Sequence, residues 1–95
     1  MDLADIQGAI KVRYGALDEE SGSIFLLSVL LEECGELATA IRRRQETVAE
    51  EVVDVVFCAL SIANLLNVNV DWGLKEKYLR RAPEEVTRSW NDRVK

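Results

Sequence analysis

Four acidic residues in two short segments carry the chemistry most open to reading in this chain. Glu33 and Glu36 lie within Leu31-Glu32-Glu33-Cys34-Gly35-Glu36-Leu37, Glu51 and Asp54 lie within Ala49-Glu50-Glu51-Val52-Val53-Asp54-Val55-Val56, and 14 residues separate Glu36 from Glu51. Each pair is spaced by three in strongly helical text, so its two carboxylates project about 60° apart on one helix face. Their neighbours are Leu, Val, Phe and Cys, and acids in such surroundings are paired, protonated or bound to a cation. A polar seam of salt bridges would need matching cations, and none occurs from Val48 to Leu66. A hard divalent cation is the economical partner. The chain contains no histidine, which removes the Glu-x-x-His di-iron bundle and any histidine-based triad. Carboxylate-only sites suit Mg²⁺, with Mn²⁺ as a substitute, and leave coordination positions for water and phosphate oxygens. The implied chemistry is hydrolysis of a phosphoryl group.

The elements that must position these acids are helices. Asp2 is expected to cap a first helix running to about Tyr14, with Gly15 as its stop and Asp18 to Ser23 as a polar linker. Ser23 opens a second helix to about Arg43, and Arg42, Arg43 and Arg44 suit a solvated helix C-terminus. Thr47 and Glu50 form a capping-box pattern ahead of a third helix, in which Val48, Val52, Val55, Ala59, Ile62 and Leu66 keep the helical period. Asn67 to Val70 breaks that pattern. Asp71 is expected to cap a fourth helix from Trp72 to about Arg81, and Pro83 suits the first turn of a fifth. Residues 1–95 thus read as one all-α domain, a bundle of four to five helices.

Composition limits what such a bundle does. A net charge of −5 without a basic tail argues against binding a nucleic-acid polymer. The longest apolar run, Ile24 to Leu31, is too short to span a membrane. Cys34 and Cys58 read as reduced, buried thiols of a cytoplasmic protein. Hydrophobic residues make up 48% of only 95 residues. The third helix carries a second apolar stripe, Val53, Phe57 and Leu60, and the second helix adds Phe25, Val29 and Leu37. A helix apolar on two sides needs neighbours on two sides, so the bundle is expected to be completed by homo-oligomerisation as a dimer or tetramer. Ala40 and Cys58, small residues one turn beyond Glu36 and Asp54, leave room for a ligand or for close helix approach.

The segments Glu32-Glu33-Cys34-Gly35-Glu36-Leu37, Glu50 to Phe57, Ala63-Asn64-Leu65-Leu66 and Glu76-Lys77-Tyr78-Leu79-Arg80-Arg81 together resemble the MazG-type nucleoside triphosphate pyrophosphohydrolases. The likeness runs from about residue 26 to 81. It implies a MazG-like all-α bundle that binds Mg²⁺ and cleaves (d)NTPs to the monophosphate and pyrophosphate, in the manner of nucleotide-pool sanitation. It assigns Glu33, Glu36, Glu51 and Asp54 as metal ligands. It gives Glu32 and Glu36 the catalytic handling of the attacking water, and Lys77 and Arg81 contact with the triphosphate. Tyr14, Phe25, Trp72 and Trp90 are candidates for stacking on a base, but suit core or interface better. Some members carry lysines near the two acidic motifs, where this chain has Ser28 and Thr47. Two alternatives stand beside this reading: phosphoribosyl-ATP pyrophosphohydrolase, whose Ser-Tyr-Thr segment and histidine are missing here, and a non-catalytic helical interaction module of the same fold.

Overall fold

The computed structural model describes residues 1–94. Five helices follow in order: α1 Leu3–Ser21, α2 Ser23–Arg42, α3 Val48–Leu65, α4 Val70–Leu74 and α5 Pro83–Val94, with a π-helical turn, Lys75–Leu79, continuing α4. No strand occurs among the described residues. The protein is all-α.

The most extensive packing joins α2 to α3, with α1 laid against α3 beside them. Ala40 (1% exposed) and Cys58 are buried; their small side chains therefore serve close helix approach at this seam. The chain bends by 110° between α3 and the segment Val70–Leu79, which brings α4 against α1. Tyr78 in the π turn lies 6.3 Å from the Trp90 ring of α5. No single helix among the described residues is long and apolar enough to cross a membrane.

Helix ends show where local signals held and where packing overrode them. At the start of α1 the Asp5 N–H donates to Asp2 Oδ1 (2.9 Å) and the Asp2 N–H to Asp5 Oδ2 (3.1 Å), a reciprocal cap. Gly15 does not stop this helix. A helical glycine costs only about 1 kcal/mol, and the stripe of Gln7, Tyr14 and Asp18 gains more by continuing against α3. The break falls instead at Gly22, whose φ of 87° is open to glycine at little cost, and whose N–H donates to the Asp18 carbonyl. The expected linker from Asp18 is thus mostly the last turn of α1.

Thr47 is no side-chain cap either: its backbone already lies in the right-handed helical region, and its hydroxyl accepts nothing. Helices α2 and α3 both end on a left-handed residue, Arg44 (φ 53°) and Asn67 (φ 58°). In each case the next N–H reaches back five residues, Gln45 to Ala40 and Val68 to Ala63, both at 2.9 Å. At α4 the cap is Asn69, whose Oδ1 accepts the Trp72 N–H at 3.0 Å, while Asp71 turns to Lys75 Nζ at 2.9 Å. The cap expected of Asp71 therefore falls two residues earlier. Fourth-helix text from Lys75 onward winds as a π turn, with the Arg80 N–H bonded to the Lys75 carbonyl.

Candidate metal centre

The acids meet where the second half of α2 passes the first half of α3. Glu33, Glu36 and Glu51 each bring a carboxylate oxygen to within 4.8 Å of the others. One oxygen of Glu33 and one of Glu51 are shut off from solvent with no hydrogen-bond partner. Burial raises the Glu33 carboxyl above its usual 4.5, and the charges of Glu36, Asp54 and Glu51 add to it. Glu51 is raised in the same way, by burial first and then by Glu36 and Asp54. Asp54 stands outside the close trio, one turn along α3 and lining an open groove with Ala49, Glu50 and Val53, yet its charge reaches both half-buried acids, Glu33 and Glu51.

This arrangement is expensive in a metal-free protein. Like charges within a few ångströms and buried oxygens without donors destabilise the ionised state. No lysine or arginine neutralises them: the ion pairs among the described residues are Lys75 with Asp71, Arg80 with Glu76, and Arg81 with Glu85, all outside α2 and α3. A set of oxygen donors on two rigid helices, without nitrogen or sulfur, fits a hard divalent cation. Cys58 lies close enough to feel Glu33 and Asp54, but burial first and those acids second raise its thiol further from ionisation. It is therefore a neutral packing residue. Cys34, expected to be buried, is exposed in the single chain, though near enough to Cys58 to act on it electrostatically; both thiols are free.

The other sequence-derived residues are placed apart. Glu32 is exposed and lies outside the trio. Arg42, Arg43 and Arg44 are exposed at the end of α2. Lys77 makes no ion pair among the described residues, and its ammonium lies 5.4 Å from the Tyr78 ring centroid. Arg81 reaches Glu85 at 3.9 Å. Both follow α3, whose length from Glu51 to Leu65 is roughly 21 Å at the helical rise. Beyond α3 the chain turns by 110° into Val70–Leu79, and neither basic residue pairs with the acids, whose charges raise one another. The π turn ends at Leu79, so Arg81 lies beyond it in the bend before α5 and no continuous helix spans Lys77 and Arg81.

Asp18 was not among the candidates. It is 8% exposed, on α1, with Oδ2 buried and unpartnered. The signal was the helical spacing Gln7, Lys11, Tyr14, Asp18, hidden by reading Gly15 as a stop. Gln7 and Asn64 were missed as a pair: Gln7 Nε2 donates to Asn64 Oδ1 (3.1 Å) and to the Val68 carbonyl (2.8 Å), Gln7 Oε1 accepts the Val70 N–H (3.2 Å), and Asn64 Nδ2 donates to the Gln7 carbonyl (3.2 Å). No short-range pattern announces a clasp between residues 57 apart.

An all-α domain whose two central helices share a carboxylate cluster is the class defined by this fold and site. Residues 21–86 match the family model of the MazG nucleotide pyrophosphohydrolase domain, and the chain belongs to that family. No curated protein and no solved structure matches the chain significantly.

Proposed function

We propose that this chain is a Mg²⁺-dependent pyrophosphohydrolase that cleaves nucleoside triphosphates, canonical or modified, between the α and β phosphates, releasing the monophosphate and pyrophosphate. The observation that carries the reading is the trio Glu33, Glu36 and Glu51, drawn within 4.8 Å without a basic partner, inside the segment that matches the family. Together with Asp54 these residues would hold the cation. When bound, a divalent cation neutralises phosphate oxygens and makes a water more acidic. Glu32, one turn before Glu36 and exposed to water, would take a proton from the attacking water, with Glu36 orienting it. Lys77 and Arg81 bind the triphosphate through charge-assisted contacts.

A second copy of the chain fits this reading. Phe25 (56% exposed), Leu31 (64%) and Val53 (64%) leave apolar faces of α2 and α3 open, and no basic residue of the same chain pairs with the acids among the described residues. Packing these faces across a homodimer or homotetramer covers them and allows one copy's Lys77 and Arg81 to approach another's acids. Light scattering at micromolar concentration should find an oligomer, and a monodisperse monomer would defeat this part. A cytoplasmic role in clearing the nucleotide pool completes the proposal. The direct test is incubation with a panel of canonical and modified (d)NTPs and Mg²⁺, resolved by anion-exchange chromatography. Monophosphate and pyrophosphate are expected. A diphosphate with inorganic phosphate would contradict the assigned bond, and no turnover with Mg²⁺ or Mn²⁺ would favour a helical interaction module.

A further inference from the structure

Asp18 is the only carboxylate among the described residues that is more than nine-tenths buried, and its Oδ2 has no hydrogen-bond partner. The packing of α1 on α3 shows where it points. Gln7 faces Asn64 through two hydrogen bonds, and seven residues on, Tyr14 meets Phe57 edge to face at 5.1 Å. Seven steps along α1 thus correspond to seven steps back along α3. Four more steps bring Asp18, on the same stripe, level with Val53 and Asp54. Cys58, one turn from Asp54, feels the charges of Glu33, Asp54 and Asp18 together. Asp18 therefore looks from α1 into the seam where α2 and α3 present their acids.

A buried carboxylate oxygen must be met by a proton, a water or a cation. Asp18 has no ion pair, and it lies outside the trio whose oxygens converge. Set on a third helix and level with Asp54, which is already counted among the four acids on α2 and α3, it suits the shell beyond, where carboxylates accept hydrogen bonds from groups held on the metal. We infer that Asp18 is a fifth carboxylate of the cation site, a positioning residue on a third helix that anchors water carried by the bound ion. The inference rests on the proposed reading of Glu33, Glu36, Glu51 and Asp54 as a cation site.

The test is Mn²⁺ binding followed by electron paramagnetic resonance, with thermal denaturation in the presence and absence of Mg²⁺. Asp18→Asn should raise the Mn²⁺ dissociation constant roughly tenfold or more and shrink the Mg²⁺-induced rise in Tm. Asp18→Glu, which keeps the charge, should recover much of the affinity; if the asparagine variant does not fold, Asp18→Glu and Asp18→Ser carry the comparison. Wild-type affinity in Asp18→Asn would overturn the inference while leaving the acidic site standing. A changed oligomeric state with unchanged Mn²⁺ affinity would also overturn it, by assigning Asp18 to a subunit contact. Failure of the wild-type protein itself to bind Mn²⁺ would sink the cation site and Asp18's role in it together.

Discussion

The two ends of α3 hold different polar groups, amides at one and carboxylates at the other, and satisfy them in opposite ways. At its C-terminal end the Gln7 amide gives both its protons and accepts one, closing a clasp with Asn64, Val68 and Val70. Every polar atom of the Gln7 amide is paired, and the one orphan nearby among the described residues is a neutral hydroxyl, Ser61 Oγ. At its N-terminal end Glu33 and Glu51 hold buried oxygens with no donor at all, and their carboxyls are pushed up by burial and by one another. A satisfied amide network fixes one arrangement of α1, α3 and α4 and stabilises the fold. An unsatisfied acidic network costs stability and is retained where a ligand completes it. The difference separates the part of the molecule that holds the shape from the part proposed to do chemistry.

The comparison breaks most readily at the acids. Glu36→Gln or Asp54→Asn should lower turnover by roughly 100-fold or more, since even changes one shell beyond a metal cost about 10- to 100-fold, while the metal-free protein keeps or raises its Tm. Steady-state kinetics and calorimetry on the same samples check this. If both variants unfold, the acids are structural after all.

Lys77→Ala and Arg81→Ala should reduce kcat/KM by about ten- to a hundredfold, or about 1.5–3 kcal/mol, through loss of a charge-assisted phosphate contact. Lys75, already engaged with Asp71 at 2.9 Å, is the control. Damage from Lys75→Ala alone would mean that the π turn presents a different lysine to the substrate.

At the other end the sign reverses. Gln7→Ala strands Asn64, Val68 and Val70, and should cost about 2 kcal/mol of stability, roughly 10 °C in Tm for a domain of this size. Activity below the transition should persist. Urea denaturation and rates at 20 °C separate the two effects.

The smallest effect is in pH. Glu33 and Glu51 have folded-state values above their usual 4.5, so the stability they contribute is complete below 4.5 and is lost as pH rises through their raised values. Metal-free protein should therefore melt higher on mild acidification from neutrality, and Glu33→Gln with Glu51→Gln should flatten that slope. A slope unchanged in the double variant would mean that other groups set it.

The acidic end was far more legible in the sequence than the amide end. Carboxylates spaced by three among Val and Leu announce a shared helix face, because helical periodicity is local, and three of the four indeed converge. Asp18 was hidden by Gly15: glycine marks a helix end only when nothing further along is worth packing, and here Tyr14 on Phe57 carried α1 onward. Thr47 and Asp71 matched cap patterns, yet backbone geometry at Thr47 and a competing lysine at Asp71 decided otherwise. The π turn and the clasp between Gln7 and Asn64 depend on long-range packing, to which residue spacing is blind.

The central claim, that the acids between α2 and α3 are held apart from any basic partner in order to take a cation, is tested most directly by anomalous scattering from crystals soaked in Mn²⁺. The account predicts a peak among the carboxylates of Glu33, Glu36 and Glu51, with Asp54 beside it. A catalytically active protein whose Mn²⁺ peak lies elsewhere, with these carboxylates bonded to protons or to a basic side chain instead, would contradict it.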